Sequence, residues 1–161
     1  MAAKASQLQL KGWGDMVDPP KLTNREWNMT GLLGVVLIVM AILQVIGFSD
    51  FKDWLDSIGL GSPVTWAVAL IVAEVWAAVS FFKLKLMKGF RIIGGVLAVL
   101  VAGFWFFENL RLVAQANAGE LTNSGFFGKF LHQSPGWWTV LEVSVFLFWT
   151  IYAVRLTWPN K

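Results

Sequence analysis

Apolar residues fall in four long blocks, at about 29–48, 63–82, 92–115 and 137–157, separated by shorter polar stretches. At about 1.5 Å of rise per residue, each block can cross an apolar slab about 30 Å thick. The pattern therefore predicts an all-α integral membrane protein, a bundle of four transmembrane helices. Between the first two blocks, Phe48, Phe51, Leu55 and Ile58 recur at helical spacing while Asp50, Asp53 and Asp56 take another face. This predicts a short amphipathic helix lying in the membrane interface, with Trp54 as its anchor. Helix starts are marked as well: Thr23-Asn24-Arg25-Glu26 has the form of a capping box, and Ser62-Pro63 and Ser134-Pro135 each pair an N-cap residue with a first-turn proline. Ala69, Ala73 and Ala77, then Gly94, Ala98 and Ala102, recur every four residues, which predicts that the second and third spans pack closely as an antiparallel hairpin.

Outside the spans, residues 1–22 are polar and broken by Pro19-Pro20. They lack the apolar core and cleavage site of a signal peptide and are expected to remain as a cytoplasmic segment ahead of a membrane domain at 23–161. The longest connection, 116–134, is rich in Gly, Asn, Ser and Thr and holds a small apolar patch of Phe126, Phe127, Phe130 and Leu131.

Charge sets the direction of crossing. Lys4, Lys11, Lys21 and Arg25 precede the first span, Lys83, Lys85, Lys88 and Arg91 join the second to the third, and Arg155 and Lys161 end the chain. Basic residues in short loops favour the cytoplasm, so both termini are expected inside, as in a prokaryotic inner membrane. Trp27 and Trp158 then mark the inner boundary, and Trp54, Trp66, Trp137 and Trp138 the outer one. The net charge of +3 is explained by this arrangement and gives no case for nucleic-acid binding.

Composition narrows the chemistry. With no cysteine, disulfides, iron–sulfur clusters and Cys-anchored haem are excluded. The one histidine, His132, lies in a polar connection, where a solvated side chain is far commoner than a metal ligand. No metal or other cofactor of its own is expected.

The polar residues inside the spans need explaining. Counting along the helices puts Gln44, Glu108 and Glu142 about one turn below the outer boundary, Arg111 just above, and Glu74 nearer the midplane. Ionisable groups at such depth are costly unless paired or solvated, and they usually face a bundle interior. One reading is a polar pocket open to the outer side, with Arg111 paired to Glu108 or Glu142 and Glu74 at the floor, able to hold a quinone head group, a small polar ligand or a partner's side chain. The other is that these groups bond one another and fix helix register.

From Gly31 to about Phe107 the chain resembles the DoxX-like family, which includes MauE-type and DoxD-type membrane proteins. The residues that carry the resemblance are Phe51-Lys52-Asp53-Trp54-Leu55 with Ile58-Gly59-Leu60, the central glutamate in Ala73-Glu74-Val75, the basic turn from Lys83 to Arg91, and Gly94-Gly95 opening the third span. The resemblance implies a four-helix bundle and an accessory role beside a redox partner, since family members include a small subunit of a quinol-oxidising enzyme and a maturation factor for a methylamine-oxidising one. With no catalytic constellation in the residues, the leading expectation is an accessory or structural subunit of a larger membrane complex. The alternative is an oxidoreductase component whose pocket holds a quinone, with bound lipid as the other expected ligand. A small transporter ranks last, because the inner half of the bundle is nearly all apolar.

Overall fold

The computed structural model describes residues 12–114 and 136–159, which form five helices and a two-strand ribbon. In chain order these are β1 (Met16–Val17), α1 (Asn24–Ile46), α2 (Phe48–Ser57), α3 (Pro63–Ser80), β2 (Leu86–Met87), α4 (Lys88–Ala114) and α5 (Trp137–Thr157). Four of them, α1, α3, α4 and α5, are long and apolar enough to cross a membrane. Each predicted span corresponds to one of these helices. The chain is therefore read as a multi-pass membrane protein.

The helices pack in the order α1–α3–α4–α5, with a shorter contact between α1 and α5 closing the bundle. Close approach is built on small residues. Gly94, Ala98 and Ala102 of α4 are buried, and a methyl group at Gly94 would lie only 2.8 Å from the Ser80 Cβ of α3. A methyl at Gly34 of α1 would similarly meet the Ala78 carbonyl oxygen at 3.0 Å. The alanine stripe predicted on α3 is only half used in this way: Ala77 is buried, whereas Ala69 and Ala73 line an apolar groove of about 770 Å³ between α3, α4 and α5. Ala67, Leu70 and Ala78 complete the buried face of α3.

Helix ends follow local chemistry. The capping box forms: the Thr23 hydroxyl accepts from the Glu26 amide at 3.3 Å, and the Glu26 carboxylate accepts from the Thr23 amide at 2.8 Å. Gly47 separates α1 from α2, closing α1 through its N–H to Leu43 O and accepting from Phe51 N, each at 2.9 Å. Ser62 differs from expectation. Pro63 does open α3, but Ser62 takes a left-handed conformation (φ 60°) and its side chain caps nothing. The turn from α2 passes through left-handed residues, Gly59 at φ 84° and Ser62 after it, so Ser62 lacks the extended backbone from which an N-cap side chain reaches the first amides; only its carbonyl bonds into the helix, accepting from Thr65 N and Trp66 N. At α5 the N-cap position belongs to Gly136, with extended backbone and no side-chain bond; Ser134, Pro135, His132 and the Phe126–Leu131 patch lie outside the described residues.

Two features at the basic end were not anticipated. The segment before α1 folds back on the α3–α4 connection, where β1 pairs antiparallel with β2 (Met16 opposite Met87, Val17 opposite Leu86). Lys88 N and Gly89 N donate to Asp15 O and Trp13 O at 3.0 Å, and Trp13 lies so close over Gly89 that an added methyl would touch its ring at 2.8 Å. Helix α4 also begins four residues earlier than expected, at Lys88, so Arg91 lies in its first turn rather than in a loop. There it is 2% exposed and donates to Ser80 O at 3.2 Å and Leu84 O at 2.8 Å, satisfying carbonyls where α3 ends.

Candidate functional site

Helix α2 buries the face its pattern predicts: Phe51, Leu55 and Ile58 are 6% exposed or less, and Asp50, Asp53 and Asp56 point outward. What it packs against corrects the sequence reading. Trp54 is 8% exposed, not an interface anchor, because the apolar face of α2 lies on the bundle itself. The indole of Trp54 stacks on that of Trp105 from α4 at 5.5 Å between centroids, and Phe51 stacks on Trp105 at 6.2 Å. A helical wheel shows that a face is apolar; it cannot tell whether lipid or protein covers it.

Beneath this aromatic roof sits Glu74. It is fully buried, and its Oε1 accepts from Gln44 Nε2 of α1 at 3.0 Å and from Trp105 Nε1 of α4 at 3.3 Å. One carboxylate oxygen on α3 thus joins two neighbouring helices, and all three side chains are 0% exposed. Hydrogen bonds in such low-dielectric surroundings are stronger than in water, and a member left without a partner is correspondingly costly. The site is nonetheless incomplete: among the described residues Glu74 Oε2 and Gln44 Oε1 are buried with no hydrogen-bond partner. Asn109, one turn beyond Trp105, donates to the Trp105 carbonyl at 2.9 Å and leaves its own Oδ1 unpartnered. The unpartnered buried atoms of Glu74, Gln44 and Asn109 are thus all oxygens.

A second polar group lies nearer the end of α4. Arg111 donates through Nε and Nη2 to Glu108 Oε2 at 3.0 and 2.7 Å, and through Nη2 to Ile58 O at 2.7 Å. The ion pair is partly solvent-exposed and of modest worth. Its bond to the carbonyl of Ile58 is the more informative one, because it holds the C-terminal end of α2 down on α4.

Of the five residues singled out from sequence, Gln44 and Glu74 come together in the core, and Glu108 and Arg111 come together at its rim. Glu142 is half-buried in the first two turns of α5. Trp105 and Asn109 were missed. A tryptophan within an apolar run reads as packing, whereas asparagine inside a membrane-length helix is itself a polar signal of the same kind as Gln44. Among the described residues, no three His, Cys, Asp or Glu side chains gather in a way that could hold a metal ion.

Chemically, this arrangement positions one carboxylate oxygen with two donors and leaves the other oxygen free to take a hydrogen bond. Among the described residues no nucleophile–base pair accompanies it. No protein-family model, curated protein or solved structure matches the chain.

Proposed function

We propose that this chain is an accessory subunit of a larger membrane assembly, crossing the bilayer four times with its basic end and both termini in the cytoplasm. The observation that carries the reading is the use made of the deep polar groups: Glu74 is spent on Gln44 and Trp105, and Arg111 on Glu108 and the end of α2. These bonds fix the register of α1, α3 and α4 and seat the amphipathic helix, which is scaffold work. The orientation rests on basic residues. Among the described residues, Lys21, Arg25, Lys83, Lys85, Lys88, Arg91 and Arg155 gather at one end against Asp15, Asp18 and Glu26, a balance of 7 − 3 = +4. The opposite end has Lys52 and Arg111 against Asp50, Asp53, Asp56, Glu108 and Glu142, or 2 − 5 = −3. That α2 lies at the outer interface follows from the same orientation. The redox character of the partner rests on the DoxX-like resemblance alone.

Extraction of the full chain in mild detergent tests the proposal. Stoichiometric co-purification of other membrane subunits is expected, and a chain that always migrates alone would count heavily against it.

One observation favours a second reading, in which Glu74 handles a proton for a quinone: the free Oε2 beside the unpartnered Gln44 Oε1. On that reading Glu74→Gln abolishes a redox activity of the assembled complex while assembly is intact. If activity survives the substitution, the carboxylate is scaffold only.

A further inference from the structure

A second set of buried polar atoms lies at the other end of the bundle and is independent of Glu74. Between the folded-back segment before α1 and the facing ends of α4 and α5 is a pocket of about 370 Å³, whose walls include Pro20, Lys21, Leu22, Arg91, Leu156 and Trp158. Volumes of roughly 300–1,000 Å³ are those of small-molecule sites. Arg91 is one of its lining residues. Arg91 is 2% exposed, and among the described residues it makes no ion pair with any carboxylate; its Nη1 and Nη2 donate to the carbonyls of Ser80 and Leu84, and its Nε has no partner at all. A buried guanidinium compensated only by carbonyl dipoles calls for an anion. Lys21 adds a second cation at the rim. Asp18, also in the wall, opposes this, but its carboxylate is engaged by Lys85 at 3.3 Å.

We propose that this pocket binds a phosphate group that carries net negative charge, as the zwitterionic phosphatidylcholine head group does not, with Arg91 and Lys21 supplying the opposing positive charge. Leu22, Leu156 and Trp158 give it an apolar side that suits the glycerol and first chain carbons of an anionic phospholipid; a free phosphate is the other source of the same chemistry. The fold-back of residues 12–22 acquires a role on this account, since Pro19, Pro20 and Lys21 build one wall. The pocket also sits at the end of the bundle where Arg25, Lys83, Lys85, Lys88 and Arg155 add basic charge, the kind of setting that attracts anionic lipid.

The test uses the purified full chain in neutral detergent, with thermal stability and native mass spectrometry as readouts. Phosphatidylglycerol, phosphatidylcholine and inorganic phosphate are added separately. Retention of phosphatidylglycerol over phosphatidylcholine supports the site and identifies a lipid; equal protection by inorganic phosphate supports the site and identifies a free anion. Lys21→Glu is expected to weaken the phosphate-bearing ligand about five-fold or more, whereas Lys52→Glu at the far end leaves it unchanged. Arg91→Lys, which keeps the charge and loses the planar fork, is expected to retain the fold and bind more weakly. No preference for any phosphate anion over phosphatidylcholine, or equal weakening by Lys21→Glu and Lys52→Glu, overturns the proposal.

Discussion

Gly94 offers the sharpest test of how α3 and α4 meet. Alanine there would place a methyl carbon 2.8 Å from Ser80 Cβ and 3.4 Å from the Trp76 ring. The Ser80 hydroxyl stands in the way as well, and it is already used to bond the Trp76 carbonyl at 3.4 Å. Rotating that hydroxyl aside relieves one contact, but the contact between the two β-carbons is fixed by the backbones. The helices must separate, and overpacking of this kind costs about 1–3 kcal/mol. For a chain of this size that corresponds to a fall in melting temperature of roughly 3–10 °C. Thermal unfolding of purified protein in a single detergent would measure it. Ser80→Ala in the Gly94→Ala background removes only the hydroxyl and should rescue partially. Ser80→Gly removes both clashing atoms and should rescue most of the loss. A harmless Gly94→Ala, or a double variant no better than the single one, would refute the close approach.

Two other substitutions probe the ends of helices. Thr23→Ala removes one half of the capping box and should lower stability by about 1 kcal/mol, with Glu26→Ala adding little on top because the two act as a unit; thermal denaturation of the two single variants and the double variant checks this. Arg111→Gln should release the end of α2 while leaving the four long helices in place, so hydrogen exchange at residues 50–58 should rise several-fold with little change elsewhere. Uniform exchange across the chain would show that the Arg111 bond to Ile58 O does not hold α2.

Much of this architecture is legible in the sequence, for identifiable reasons. The four spans are marked by the length of uninterrupted apolar runs, and Thr23 and Glu26 announce a helix start by local bonds alone. What eluded the sequence depends on partners distant in the chain. Trp54 belongs to an apolar face whether lipid or protein covers it, and only the Trp105 ring decides between them. Arg91 counts as a loop charge until the end of α3 presents carbonyls to it. Two-residue strands such as β1 and β2 carry no periodic signal, so their pairing could not be foreseen. In the core, depth along each helix identified Gln44 and Glu74 as exceptional, but not that they bond each other or that an indole completes the group.

The most direct test of the scaffold account is the coupling between Gln44 and Glu74. Stability would be measured for Gln44→Leu, Glu74→Leu and the double variant in one detergent system. Each single change strands a buried polar partner, at about 1–3 kcal/mol by general experience. The double variant should therefore be less destabilised than the sum, by a coupling of about 0.6 kcal/mol, the average for such bonds between membrane helices, and up to about 1.7 kcal/mol. Strictly additive losses would contradict the account, since they would mean that the two side chains do not depend on one another.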